Sequence, residues 1–251
     1  MNSYTVIIPN RFEDIIQPLI KSLRIYEQEL SKVIIIADGH DRNYGYKMIK
    51  TKGNFIYSKA INLGIKAADP DDVILLNDDV RLTEFDTFKT LQRVTYSKPR
   101  IGILSPLVDG GCGNIYMRIA KPELWENKPL GIKYCTGLRG PDRVTFACVY
   151  IKRSLLNLIG LMDENFIYYG FDDADFCIRT VQANWKIAIT NKTQVQHGEG
   201  GSKFIRGKNW NSSYMRNRIG GTVKNLNYLM TKHPTVFEDN SKFEQTNGPS
   251  N

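Results

Sequence analysis

Two groups of acidic side chains are the residues of this sequence best suited to chemistry. In the first, Asp78 and Asp79 follow Asn77 directly after an apolar run at residues 73–76 that is typical of a buried strand. Carboxylates placed side by side at the end of a buried strand are costly unless a cation or hydrogen-bond donors offset their charge. Because Mg²⁺ and Mn²⁺ prefer hard oxygen ligands, this group indicates a site for a divalent cation.

The second acidic group comprises Asp172, Asp173 and Asp175, which precede an apolar pattern of helical period. An Asp at the start of a helix caps free backbone N–H groups and complements the helix dipole. One capping residue would be enough for that purpose. The group therefore leaves at least one carboxylate available as a general base.

Two further polar residues follow strand-like apolar runs. Asp38 comes after residues 32–37, and His197 comes after residues 193–196. A lone Asp in such a place is usually a turn or cap residue, and a lone His is more often structural. Ligands of open parallel sheets bind beyond the carboxyl ends of the strands, however, so both residues are candidates for a binding site.

The elements that position these residues alternate between strand and helix. Apolar runs at residues 4–9, 32–37, 54–57 and 73–76 predict strands, and residues 12–23 and 58–68 predict helices between them. Strands that are apolar throughout and alternate with helices indicate a mainly parallel sheet covered on both faces. The first half of the chain is therefore expected to be an α/β unit of Rossmann type.

The pattern changes after about residue 100. Strands are predicted at 101–106, 144–151 and 186–190, loops at 110–142, a helix from about 172, and a last helix that carries Ile219, Val223, Leu226 and Met230 at helical spacing. No linker divides the chain. We expect one domain over residues 1–235 and a polar tail at 236–251.

The composition is that of a folded protein. The chain has 251 residues, of which 41% are hydrophobic and 11% aromatic, more than a disordered chain carries. No apolar run approaches the roughly 20 residues that cross a bilayer, and the amino terminus lacks a secretion-signal pattern, so a cytoplasmic protein is expected. The cysteines at positions 112, 135, 148 and 177 form no C-x-x-C pair and are expected to be reduced thiols.

The ordered set of motifs resembles the family 2 glycosyltransferases, over roughly residues 4–230. The motifs are the strand ending at Pro9, the strand ending at Asp38, SKAINLG at 58–64, LLNDD at 75–79, GLMDENF at 160–166, YGFDDADFCIR at 169–179 and VQH at 195–197. This resemblance implies an α/β GT-A fold with a Rossmann-like, mainly parallel sheet flanked by helices and a smaller acceptor-side subregion. Residues 1–100 would form the nucleotide-sugar half, and residues 101–235 the acceptor half with a closing loop.

The resemblance also implies a donor site at the strand ends. By position, Asp38 would recognise the base or ribose of a nucleotide-sugar, with UDP the expected nucleotide. Asn62 would line the same pocket, and Arg11 and Asp78 would also contact the donor. Asp79 would hold Mn²⁺ or Mg²⁺ on the diphosphate.

Further roles follow from the same resemblance. His197 would be another contact to the metal or to a phosphate. Asp173 would be the catalytic base that takes a proton from an acceptor hydroxyl, although Asp172 could exchange roles with it. Direct attack from the far face of the sugar would invert the anomeric configuration.

The chain carries an excess of positive charge, part of it in a segment without acids. Lys and Arg number 34 against 26 for Asp and Glu, a formal charge of +8 that favours an anionic partner. Residues 200–237 contain no Asp or Glu. Glycines at its start suggest a loop that closes over the donor, with Lys203 or Arg206 reaching the diphosphate. A solvated basic face on the last helix explains Arg216, Arg218 and Lys224 equally well.

Three alternatives concern the acceptor and the reaction. A saccharide or glycan hydroxyl is favoured as the acceptor, but the basic surface also fits hydroxymethylated bases of DNA. A nucleotidyltransferase or an inactive nucleotide-binding module would be a different class of protein. The first usually has a glycine-rich phosphate loop after strand one, where this chain has Pro9, Asn10, Arg11 and Phe12. The second is disfavoured because both acidic groups are intact.

Overall fold

The computed structural model of the protein describes residues 3–30, 32–51, 55–109, 114–127, 131–136, 143–167, 170–198 and 212–237. Within these ranges the strands are β1 (Tyr4–Asn10), β2 (Val33–Asp38), β3 (Lys47–Thr51), β4 (Asp72–Leu76), β5 (Val80–Leu82), β6 (Ile101–Asp109), β7 (Ile132–Cys135), β8 (Cys148–Ile151) and β9 (Lys186–His197). The helices are α1 (Gln17–Tyr26), α2 (Tyr57–Ala67), α3 (Thr87–Tyr96), α4 (Arg153–Ile159), α5 (Asp172–Gln182), α6 (Ser212–Lys232) and α7 (Pro234–Phe237). Short 3₁₀ helices lie at Ile115–Met117 and Pro122–Trp125.

All nine strands belong to one sheet, in the order β3-β2-β1-β4-β8-β6-β9-β5, with β7 paired to β9. Strands β1 to β4 pair in parallel, as do β6 and β9. Strand β8 runs antiparallel to both β4 and β6, so β6 and β9 point in the same direction as β1, β2 and β4. The carboxyl ends of these strands therefore lie along the same side of the sheet. We call this side the donor edge, because the sequence predicts a donor site there.

The α/β fold class predicted from the sequence is confirmed, with a sheet that is mixed beyond β4. The short strands β5, β7 and β8 contribute the antiparallel pairs. Strands β1, β2 and β4 are buried along most of their length, because helices cover both faces of the sheet. Helix α2 lies very close to β1 at Gly64, where an added Cβ would collide with the Ile7 side chain.

Several element boundaries differ from those predicted. Helix α1 begins at Gln17, with Pro18 in its first turn, and not at residue 12. Tyr57, predicted to end a strand, is the first residue of α2. The runs at 186–190 and 193–196 form a single strand of 12 residues, β9, because β6 pairs with both of them. The strand predicted at 144–151 is shorter and begins at Cys148.

Strand β3 was not anticipated from the sequence, since its lysines interrupt the apolar pattern at an edge of the sheet. Cys135, Cys148 and Cys177 are buried and form no disulfide bond with one another, and Cys112 lies outside the described residues. Among the described helices, none combines the length and the hydropathy that crossing a membrane requires.

Candidate active site

The donor edge collects the polar residues that the sequence singled out after apolar runs. Asp38 ends β2, Asp78 and Asp79 follow β4, and His197 ends β9. Asn10 joins them as the last residue of β1. Sequence reasoning passed over Asn10, although its place at the end of a buried strand was the available signal.

Asp79 and His197 lie against each other. The His197 Nε2 atom is 3.2 Å from the Asp79 Oδ1 atom. Pairing of β5 with β9 places Val80 opposite His197, and the Gly198 N–H donates to the Asp79 carbonyl at 3.3 Å. Burial acts to lower the pKa of His197, but the hydrogen bond and charge of Asp79, together with the charge of Asp78, raise it above its ordinary value.

Asp78 is turned toward the end of β1. Its Oδ2 atom accepts a hydrogen bond of 2.7 Å from the Asn10 Nδ2 atom, which also donates to the Phe12 carbonyl. Burial raises the pKa of Asp78 to about 7, and the neighbouring charge of Asp79 adds to the shift, while hydrogen bonds from Asn10 and the Arg11 backbone oppose it. Asp78 thereby ties β4 to β1 and leaves Asp79 directed toward His197.

The donor edge fits a divalent cation only in part. Among the described residues, no cluster of three or more His, Cys, Asp and Glu side chains could hold a metal by itself. Mg²⁺ and Mn²⁺ at phosphate-transfer sites typically take one or two carboxylates and complete their shell with water and substrate phosphates. Asp79 and His197 supply ligand atoms of this kind, and the remaining positions would fall to a diphosphate.

Asp38 lies at the other side of the donor edge. Its side chain is 9% exposed, and the Arg11 Nε atom approaches its Oδ2 atom at 3.9 Å. The Thr51 hydroxyl donates to its Oδ1 atom at 3.2 Å. Arg11 is itself 45% exposed and lies over the Phe12 ring. The carboxylate is therefore held in place by Thr51 while an exposed cation remains beside it.

The second acidic group begins helix α5. The Asp173 Oδ1 atom accepts a hydrogen bond from the Ala174 N–H at 2.7 Å and lies 3.5 Å from the Arg143 Nη1 atom. Burial raises the pKa of both Asp172 and Asp173, and the charge of Asp173 raises that of Asp172 further. Arg143, which sequence reasoning missed, opposes the shift of Asp173, and its guanidinium also lies over the Phe171 ring.

Asp175 has a different role from its two neighbours. It is fully buried, forms ion pairs of 2.8 Å with Arg179 and Lys232, and lies 2.8 Å from the His233 Nε2 atom. Burial would raise the pKa of Asp175, but these cationic and hydrogen-bonding partners lower it below its ordinary value. Asp175 therefore joins α5 to the end of α6 and has a structural role.

Tyr57, the first residue of α2, is influenced by both acidic groups. Burial raises its pKa well above the ordinary value, and the charges of Asp172, Asp173, Asp78 and Asp79 all raise it further. Its hydroxyl lies 3.4 Å from the Asn77 Oδ1 atom and 3.3 Å from the Phe146 carbonyl oxygen. The charges of both acidic groups therefore act on the side chain that begins α2.

Asn62 does not contribute to the donor edge as the resemblance implied. It is 2% exposed, its Oδ1 atom accepts from the Met162 N–H at 3.0 Å, and its Nδ2 atom donates to the Met162 carbonyl at 2.9 Å. The Nδ2 atom also donates to Glu164 at 2.9 Å. These contacts correct the expected role: Asn62 holds the chain before α5.

Lys203 and Arg206, expected on a closing loop, lie outside the described residues. An open groove of about 670 Å³, whose lining includes Thr5, Lys32 and Asp71, lies at the starts of β1, β2 and β4. It is at the opposite edge of the sheet from the acidic groups.

No protein-family model and no curated protein sequence matches the chain significantly, but solved structures do. GalNAc-T7, crystallised with UDP, GalNAc and Mn²⁺, shares 14% sequence identity over 98% of this chain and 53% of its own, with a TM-score of 0.62. A fragment of S. aureus TarS, residues 1–349, shares 14% identity over 78% of this chain and 60% of its own, with a TM-score of 0.53. The chain spans about half the length of the GalNAc-T7 chain. These likenesses show that the chain has the GT-A fold of glycosyltransferases.

Proposed function

We propose that the protein transfers a sugar from a nucleoside-diphosphate sugar to an acceptor hydroxyl. The observation that carries this proposal is the position of Tyr57, whose hydroxyl lies 3.4 Å from the Asn77 Oδ1 atom, next to the first acidic group, and whose pKa is raised by the charges of both groups. One group lies at the strand ends, where a diphosphate would bind, and the other begins α5, where an acceptor would bind. The GT-A fold, and a neighbour that binds UDP and Mn²⁺, support a nucleotide-sugar as the donor.

On the donor side, the roles follow the places of the side chains. Asp38 would accept hydrogen bonds from the base or ribose, with Arg11 beside it at the nucleotide. Asp79 and His197 would hold Mn²⁺ or Mg²⁺, which would supply Lewis-acid neutralisation of charge on the leaving diphosphate. Lys203 and Arg206 would add cationic contacts to the same phosphates. UDP is the proposed nucleotide.

On the acceptor side, Asp173 acts as the base. Its carboxylate takes the proton of the acceptor hydroxyl while that oxygen forms a bond to the anomeric carbon. The bond from the anomeric carbon to the diphosphate oxygen breaks, and the nucleoside diphosphate leaves with the bonding electrons. Attack from the face opposite the leaving group inverts the anomeric configuration.

The acceptor is proposed to be a saccharide or glycan hydroxyl. GalNAc-T7 was crystallised with GalNAc as well as UDP. The comparisons give no support to the DNA acceptor that the basic charge left open. The structures that match have the glycosyltransferase fold, which also favours sugar transfer over nucleotidyl transfer.

Ligand-dependent thermal unfolding and product analysis together test the function. UDP-, GDP- and TDP-sugars are each added with and without Mn²⁺, and UDP-sugars with Mn²⁺ are expected to raise the unfolding temperature most. A ligand at about 100 times its Kd adds roughly 2.7 kcal/mol of stability. Incubation with saccharide acceptors should then release a nucleoside diphosphate, and NMR of the product should show an inverted anomeric centre.

The products also separate the alternatives. Release of pyrophosphate would indicate nucleotidyl transfer, and binding without any product would indicate an inactive module. Retention of the anomeric configuration would leave glycosyl transfer in place and contradict the assignment of Asp173 as the base in a direct displacement.

A further inference from the structure

The chain that leads into helix α5 is held by side-chain amides from two other helices. Between α4 and α5, the described residues 160–167 and 170–171 form no helix or strand, so their backbone polar groups need other partners. Asn62 of α2 pairs with both the N–H and the carbonyl of Met162. Asn225 of α6 pairs in the same way with Ile167, accepting from its N–H at 3.1 Å and donating to its carbonyl at 2.8 Å.

Asn225 makes one more contact, at the turn that begins α5. Its Nδ2 atom donates to the Gly170 carbonyl at 2.9 Å. The next residue, Phe171, has a left-handed backbone with φ of 71°, a conformation that is strained for a residue with a Cβ. The bond from Asn225 fixes the carbonyl of the peptide that joins Gly170 to Phe171. It therefore helps to hold the turn that sets the direction of Asp172 and Asp173.

Helix α6 is docked so that Asn225 reaches this turn. Asn225 is 2% exposed, and Leu229 packs in a small apolar cluster with Phe166, Ala174 and Ile178. The same helix contributes Lys232, whose Nζ atom lies 2.6 Å from Asp163 and 2.8 Å from Asp175. These contacts join α6 to both the segment before α5 and α5 itself.

We propose that Asn225 is a positioning residue, which acts through the segment before α5 to hold Asp173 toward the donor edge. This inference rests on the proposed function, because it assigns Asn225 to the proposed reaction. The distinction from a purely structural role lies in which step is affected. Asn225 contacts the segment before α5, whereas the donor-edge residues lie at the ends of strands, so its loss should slow turnover and leave donor binding intact.

The test compares Asn225→Ala and Asn225→Asp with wild type. The Asp variant keeps the acceptor for the Ile167 N–H but loses both donated hydrogen bonds and faces two carbonyl groups. Both variants should lower kcat by about 10- to 100-fold, since a small misplacement of a catalytic group has effects of that size. KM for the donor should stay within about twofold. Hydrogen exchange at residues 162–171 should become faster in both variants.

Two control variants separate an effect on the position of Asp173 from an effect on the stability of the protein. Asn227→Ala changes an exposed residue on the same helix and should leave kcat and exchange unchanged. Thr95→Ala removes a buried hydroxyl that donates to the Leu91 carbonyl in α3, so it lowers stability without touching the segment. A Thr95→Ala protein that loses kcat as strongly as the Asn225 variants would overturn the proposal, as would normal kcat in the Asn225 variants.

Hydrogen exchange also distinguishes a failure of this inference from a failure of the proposed function. If the wild-type protein transfers no sugar, the proposed function fails, and with it the catalytic part of the inference. Unchanged exchange at residues 162–171 in the Asn225 variants of an active enzyme would overturn the inference alone.

Discussion

The Arg143 guanidinium lies 3.5 Å from the Asp173 carboxylate and makes the two neighbouring carboxyl groups of α5 differ in pKa. Burial raises the pKa of both groups, and the charge of Asp173 raises the pKa of Asp172 further, whereas Arg143 is the leading influence that lowers the pKa of Asp173. The two carboxyl groups are coupled, so their protons leave in steps that belong to the pair. Arg143 favours the ionised form of Asp173, which is the form that the proposed base requires.

Replacing Asp173 should abolish most turnover without preventing donor binding. In Asp173→Asn, the amide cannot accept the acceptor proton, and general-base catalysis typically contributes about 10²–10⁴-fold to rate. Steady-state kcat and the Kd for UDP measure the two effects separately. Asp172→Asn is the matched control and should have a smaller effect on kcat. Near-normal rates in Asp173→Asn would show that another group is the base.

Removing the charge of Arg143 should move the pH profile. Arg143 lowers the pKa of Asp173, so Arg143→Met should raise that pKa. A base must lose its proton to work, and the ascending limb of kcat/KM against pH should therefore shift to higher pH. Arg143→Lys keeps the charge and should shift it less. A profile that is the same in wild type and Arg143→Met would contradict the role given to Arg143.

Metal use should depend on Asp79 and His197. Asp79→Asn and His197→Ala should each raise the Mn²⁺ concentration needed for half-maximal transfer by roughly tenfold or more. A chelator should stop transfer and leave the unfolding temperature of the nucleotide-free protein unchanged. Asp41→Asn, an exposed carboxylate just beyond β2, is the control. If chelation leaves the rate of transfer unchanged, the assignment of a divalent metal to this site is wrong.

Glu27 should make the stability of the fold depend on pH. It is 6% exposed, accepts a hydrogen bond from the Phe88 N–H at 2.9 Å, and has a pKa raised to about 7, chiefly by burial. The folded protein then binds more protons than the unfolded chain between about pH 4.5 and 7, so its stability falls as pH rises through that window.

Glu27→Gln tests this effect because it keeps the acceptor oxygen and removes the charge. It should unfold at nearly the wild-type temperature at pH 5 and be more stable than wild type at pH 8.5, by on the order of 2 kcal/mol. Denaturant titrations at the two pH values measure the difference. Glu126→Gln, at an exposed position, should show no such dependence. Equal effects of Glu27→Gln at both pH values would rule out titration as the cause.

The local pattern of the sequence was sufficient to predict which residues lie at the donor edge. Asp38 and Asp79 follow apolar runs, His197 follows a strand-like run with one apolar residue, Val195, and the rule that parallel strands end at a common edge places the three together. The same pattern failed for β3, whose lysines suit an edge strand exposed to water, and for Tyr57, whose apolar neighbours resemble a strand although the residue begins a helix.

The sequence by itself determined the fold class, the donor-edge residues and the acidic start of α5, because strand and helix periodicity and helix-start chemistry are properties of neighbouring residues. Tertiary structure decided that the charges of both acidic groups act on Tyr57, that Arg143 pairs with Asp173, and that Asn62 reaches Met162, 100 positions away in the chain. These relationships depend on contacts between parts of the chain that are far apart in sequence. Packing joins residues that no local spacing relates, so only the folded chain distinguishes Asp173, beside Arg143, from Asp175, which is fully buried against Arg179 and Lys232.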